Sequence, residues 1–135
     1  MKYLALLFLL MASAASAQSV TIPYVVDDEG MMVVQATVNG KTMNFTVDTG
    51  TGSTIVHESF PKSGKGRPMT VSGIGGEQPA LETTGTVCIT PAACSTVVIM
   101  EVKHFDCNLL PLSYFARDYG RMIIDFNRRT ITLEN

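Results

Sequence analysis

The chain has little of what several common functional classes require. It contains no Arg-rich segment and no basic stripe, and its 10 Lys and Arg are outnumbered by 12 acidic residues. Nucleic acid and anionic lipid are therefore poor matches as main partners. Histidine occurs only twice, at His57 and His104. Neither stands at ligand spacing from a cysteine or a second histidine, and Ser53 has no Ser-His-Asp companion pattern, so no metal centre and no serine triad is indicated. Solenoid-type repeats, low-complexity linkers and long helical patterns are absent as well. The abundance of Val, Ile, Thr and Gly instead indicates one mainly β domain with one modest core.

The amino terminus has a different character. Lys2 precedes an apolar run over residues 3–12, followed by small residues ending in Ala15-Ser16-Ala17. This is the pattern of a signal peptide, with cleavage expected before Gln18. The run is shorter than the roughly 18 to 20 residues a membrane span requires. No charge follows Ala17 as a stop-transfer flank, and no cysteine there offers a lipid anchor. Residues 1–17 are thus expected to be a leader and residues 18–135 a single domain, periplasmic or extracellular, with no stable membrane anchor after cleavage.

Three cysteines cannot all pair within one monomer. Cys88 and Cys94 flank a turn-like Ile89-Thr90-Pro91-Ala92-Ala93 segment between β-rich runs, which favours a disulfide across a hairpin. Closing so short a loop contributes only about 2 kcal/mol by chain entropy. Cys107 is left over. Residues 62–67 are Gly-containing and basic, and read as a mobile surface loop.

Alternation and turns supply the organisation. Asn39-Gly40 is the residue pair favoured by a two-residue type I′ hairpin. Counting outward pairs Val38 with Lys41, Ala36 with Met43, Val34 with Phe45 and Met32 with Val47. Thr37 with Thr42, Gln35 with Asn44 and Val33 with Thr46 fall on the other face. A second hairpin, centred between Asn127 and Arg128, aligns Ile124 with Ile131 and Met122 with Leu133. Between them, Leu112, Phe115, Ala116 and Tyr119 recur at helical spacing, with Pro111 at the first helical position and Gly120 as the stop. Asp125 alternates with Ile124 and Phe126 beside a turn, which assigns it a solvent-facing or turn-bonding role.

The first hairpin delivers the chain to Phe45-Thr46-Val47-Asp48-Thr49-Gly50-Thr51-Gly52-Ser53-Thr54-Ile55-Val56. An acid here stands between a buried strand and a glycine-containing turn. Gly50 permits a close backbone approach, while Thr49 and Thr51 can hold the loop through hydroxyl bonds.

On these residues the chain resembles the retropepsin-like aspartic peptidases, especially the secreted bacterial single-domain members, through most of residues 20–134. Asp48-Thr49-Gly50-Thr51 matches the family's active-site loop. Val71-Ser72-Gly73-Ile74-Gly75-Gly76 resembles the tip of its substrate-covering flap. Asn108-Leu109-Leu110 resembles the segment that packs behind the active-site loop, and residues 122–133 the closing hairpin. In one departure, Pro111 stands where the family usually has glycine; it has no backbone donor and cannot take a positive φ.

The resemblance implies a single-domain retropepsin-like acid protease fold, mainly β with one short C-terminal helix. It also implies an aspartic endopeptidase that needs no cofactor and acts on polypeptide. Two carboxylates are required and only one Asp-Thr-Gly is present, so the catalytic unit is expected to be a homodimer with Asp48 from each copy. Gly73, Gly75 and Gly76 would let the flap open and close, with Ile74 covering the substrate. The alternative is a noncatalytic peptide-binding or structural protein of the same fold.

Overall fold

A computed structural model of the chain describes residues 18–73 and 75–135; the expected leader and Ile74 lie outside the described residues. Among the described residues the chain forms β1 (Ser19–Pro23), β2 (Val25–Val26), β3 (Met32–Val38), β4 (Lys41–Asp48), β5 (Thr54–Val56) and β6 (Arg67–Gly73). These are followed by β7 (Gly76–Thr90), β8 (Ala93–Glu101), β9 (Asn108–Pro111), α1 (Leu112–Ala116), β10 (Arg121–Asp125) and β11 (Thr130–Glu134).

The β3–β4 hairpin forms as its turn dictates. Asn39 and Gly40 have φ of 48° and 87°, the two positive values a type I′ turn requires. Val38 then faces Lys41, Ala36 faces Met43 and Val34 faces Phe45. Val34, Ala36, Val38, Met43, Phe45 and Val47 are all buried. The expected Met32–Val47 rung is not part of this ladder, which ends at Val33 and Thr46. Beyond that rung each strand keeps only the partner on its other edge, Met32 with Val26 of β2 and Val47 with Leu110 of β9.

The larger sheet runs β2-β3-β4-β9-β5-β8-β7-β6, and a further β3–β7 pairing closes its middle into a barrel. Thr37 and Val38 make that closure with Cys88 and Val87. Asn39 fixes it: its N–H donates to Thr86 C=O at 2.9 Å, its Oδ1 accepts from Thr86 N–H at 2.9 Å, and its Nδ2 donates to Pro61 C=O at 2.6 Å. The turn residue that sets the hairpin register therefore also locks the barrel.

A three-stranded sheet, β1-β11-β10, packs against this barrel through Ile22, Ile131 and Leu133. Met122 faces Leu133 and Ile124 faces Ile131, as the alternation requires. Asp125 holds the hairpin turn, its Oδ1 accepting from Asn127 N–H at 3.0 Å and Arg128 N–H at 2.9 Å.

Two local expectations are corrected. Pro111 is the last residue of β9 and the helix N-cap, in extended conformation at φ −75° and ψ 158°, rather than the first helical residue. Five helical residues make too short a stripe for the 3.6-residue period to decide burial. Tyr114 and Phe115 are buried while Leu112 is exposed. The Tyr114 hydroxyl donates to Val87 C=O at 3.0 Å, and burial pushes its pKa up to about 12. The expected surface loop at residues 62–67 is anchored at its start, where Lys62 pairs with the buried Glu101 carboxylate and lies 5.2 Å from the Phe60 ring centre. Composition alone does not show that a distant buried acid neutralises this lysine.

Cys88 and Cys94 face each other across β7 and β8 with Cα atoms 4.0 Å apart and are joined by a disulfide, while Cys107 is free. Burial, followed by the Asp106 charge, raises the Cys107 pKa. The bridge staples β7 beside its closing rung with β3. Cys88→Ser/Cys94→Ser is expected to lose about 2 kcal/mol of unfolding free energy. Urea denaturation of the two proteins checks this.

Candidate active site

Asp48 ends β4, and the reason it is held there is topological. β9 lies between the strand entering the 49–53 loop and the strand leaving it. On one side Thr46, Val47 and Asp48 pair in parallel with Leu109, Leu110 and Pro111. On the other, Leu109 pairs antiparallel with Ile55 of β5. The loop must therefore span β9, which carries Asp48 to the end of the sheet. Leu110 is fully buried beneath it. Pro111 continues the strand to its last rung opposite Asp48, so its extended φ fits and its missing donor falls at the ladder's end.

The loop's own bonds orient the acid. Gly50 N–H donates to Asp48 Oδ1 at 2.7 Å. A Cβ at Gly50 would lie 3.3 Å from that same oxygen, a crowded approach that explains glycine here. Thr51 Oγ1 accepts from Ser53 N–H at 3.3 Å and lies 3.2 Å from Ser53 C=O, to which it donates. Thr49 is exposed, and its hydroxyl joins none of these bonds.

Opposite the loop, β6 and β7 form a hairpin paired from Arg67 with Glu82 to Gly73 with Gly76. Gly76 has φ of 92°, a conformation suited to glycine at the tip. Val71, Ser72, Gly73, Gly75, Gly76 and Gln78 share one cleft of about 390 Å³ with Asp48, Gly50, Thr51, Ile55, Phe105 and Leu109. The loop and the glycine-rich hairpin are thus brought together, as are Leu109 beneath and the acid itself. Leu110 belongs to the core and not to the cleft lining. Ile74, the expected cover, lies outside the described residues.

Two sets of contacts were not legible in the sequence. Phe105 reaches the cleft from the turn after β8, where Phe105 N–H donates to Val102 C=O at 3.3 Å and Val102 N–H to Val56 C=O at 2.9 Å. A lone aromatic outside any periodic run carries no signal of this. The bonds of Asn108, whose place in the segment behind the loop the resemblance implied, are the second. Asn108 is buried opposite Phe45, at the end of β9 away from Asp48, and ties β9 to β4 and to the segment after β5: Nδ2 donates to Asn44 C=O and to Glu58 Oε1, each at 2.9 Å, and Oδ1 accepts from His57 N–H at 2.9 Å.

Asn108 is also the leading cause of a lowered Glu58 pKa; burial opposes the shift and Lys41 adds to it. A carboxylate with a depressed folded-state pKa stabilises fully above its unfolded value, and that contribution is lost as pH falls through the folded value. Glu58→Gln is accordingly expected to flatten the decline of stability between neutral pH and about pH 3. Urea midpoints across that range measure it. Among the described residues there is no group of three or more His, Cys, Asp and Glu side chains placed to hold a metal ion. No described helix is long and apolar enough to cross a membrane.

No family model matches the sequence, and no curated protein matches it. Among solved structures, the chain is similar to the crystal structure of a retropepsin-like aspartic protease from Rickettsia conorii. The two are 19% identical, with a TM-score of 0.59 over 87% of this chain and 91% of that chain. A likeness at this identity shows the fold: the chain has a mainly β, retropepsin-like fold with one short helix.

Proposed function

We propose that the chain is an exported aspartic endopeptidase whose catalytic unit is a homodimer. The observation that carries this reading is the position of Asp48, on the floor of a cleft walled by a glycine-tipped hairpin, with its Oδ1 held by Gly50 N–H. Similarity of fold to an aspartic protease supports it.

The chemistry follows from carboxylates at close range. Peptide hydrolysis by this route needs one acid to accept a proton from water and another to donate to the scissile carbonyl. Two such groups within about 3 Å cannot both ionise freely, so they share one proton and divide the roles. The sequence holds one Asp-Thr-Gly. A two-fold axis beside Asp48 supplies the second copy. The ionised Asp48 activates water, the protonated Asp48 polarises the carbonyl, and no cofactor is needed.

An extended peptide fits the cleft between hairpin and loop, its backbone aligned as an added strand and its side chains against Ile55, Val71, Phe105 and Leu109. Asp48, Thr49, Gly50 and Thr51 form the active-site loop, Gly73, Ile74, Gly75 and Gly76 the flap, and Leu109 and Leu110 the support. The leader at residues 1–17 directs the domain to the periplasm or beyond. The test is cleavage of a peptide library by residues 18–135 between pH 4 and 7. Turnover by the wild-type domain that Asp48→Asn lacks is the expected result; peptide association without turnover overturns the enzyme reading.

A further inference from the structure

Exposed apolar side chains gather where the three-stranded sheet meets β2. Phe126, at the tip of the β10–β11 hairpin, is 75% exposed, and Val25 and Val26 of β2 are 61% and 43% exposed. The two sites are joined through the backbone: Tyr24 N–H donates to Arg129 C=O at 3.0 Å, so the hairpin tip abuts the residue preceding β2. β2 is an edge strand, paired only with β3, and its outer backbone groups are open.

Opposite charges flank this strip. Arg128 and Arg129 stand exposed at the hairpin tip, and Asp28 and Glu29 stand exposed in the turn after β2. Among the described residues, Arg128 has only a 4.0 Å contact with Asp125, and Arg129, Asp28 and Glu29 join none of the ion pairs. Asp27 is already committed, its Oδ1 accepting from Glu29 N–H at 3.0 Å and Met31 N–H at 2.8 Å to shape the turn. Three extended steps, a backbone rise of roughly 10 Å, lead from Tyr24, which the hairpin tip abuts, to Asp27 at the start of the acidic turn.

A patch that is basic at one end, apolar in the middle and acidic at the other matches itself when rotated by half a turn. It also lies at the right end of the fold. The acidic turn leads directly into β3, whose Val33 faces Thr46, two residues before Asp48.

We infer that this strip is where a second copy of the chain docks, Arg128 and Arg129 of each copy facing Asp28 and Glu29 of the other. This rests on the homodimer proposed above and names the surface that builds it. The apolar centre contributes buried area, and the charge pairs fix the register and exclude other alignments.

The test reads mass alone, by sedimentation equilibrium of residues 18–135, with every protein carrying Asp48→Asn and folding checked by circular dichroism. The parent is expected to be a dimer that weakens with added salt. Arg128→Glu/Arg129→Glu and Asp28→Lys/Glu29→Lys should each raise the dimer dissociation constant at least about tenfold, because each homodimer then juxtaposes like charges twice. Mixing the two variants restores opposite charges at both contacts, and a mixed dimer of near-parental affinity is expected. The milder Arg128→Ala/Arg129→Ala form should weaken the dimer in the same direction. A monomeric parent, reversals that leave the dissociation constant unchanged, or a mixture that fails to recover overturns the interface. Cleavage by the wild type with reversals that change nothing removes this interface and leaves the peptidase; a dimer that follows the reversals without any cleavage does the opposite.

Discussion

Asp48→Asn is expected to lower peptide cleavage by about 10³-fold or more while leaving the fold intact. The amide cannot accept a proton from water or pass one to a leaving amine, so both roles assigned to the carboxylate pair disappear together. The fold should persist because the native task of Oδ1 survives. It accepts the Gly50 N–H bond at 2.7 Å, and an asparagine carbonyl oxygen can accept the same bond. A circular dichroism spectrum and urea midpoint close to wild type, beside lost turnover, would assign Asp48 to chemistry. Retained turnover would remove it from the mechanism.

The second large effect is structural. Asn108→Leu preserves approximate volume but strips a buried junction of its three hydrogen bonds, to Asn44, His57 and Glu58. Groups left unpaired in a buried setting cost about 1 to 3 kcal/mol each, partly relieved where water reaches them. A loss of about 3 kcal/mol is expected, a large share of the roughly 5 to 15 kcal/mol that holds a small domain together. The Glu58 pKa should rise toward its ordinary value in the same variant, because the Asn108 bond is its largest lowering influence. Urea denaturation and an NMR titration of Glu58 measure the two effects. A loss below about 1 kcal/mol with an unmoved Glu58 would show that the junction does not hold β9 to its neighbours.

What was legible in the sequence was local. Asn39-Gly40 specifies both its turn and the register of six rungs, because two positive φ values and an alternating pattern agree. Asp48 is placed by that same count. The cysteine pairing is legible for a similar reason, since Cys88 and Cys94 flank a turn and meet as opposite residues. The strand ends are less so: the β3–β4 ladder stops before Met32 and Val47, and no pattern within β3 announces it. In α1 the period misassigns Leu112 because five residues are too few to define a face. The contacts of Lys62, Phe105 and Asn108 were illegible because their partners are Glu101, the cleft and two separate segments, contacts that exist only once β5, β8 and β9 are assembled. The sequence motif supplies the acid and the hairpin tip, and the topology supplies the walls between them.

That topology leaves Asp48 with one carboxylate at the end of one sheet, and the account stands on its needing a second copy of the chain. The most direct measurement adds Asp48→Asn protein to a fixed amount of wild type, at concentrations where dimers predominate, and follows peptide cleavage after subunit exchange. Mixed dimers hold a single competent carboxylate. Random pairing then predicts that cleavage falls to about half at an equimolar addition and continues downward with excess variant. Cleavage that stays constant as the variant is added would mean that each chain works alone, and would contradict the shared site.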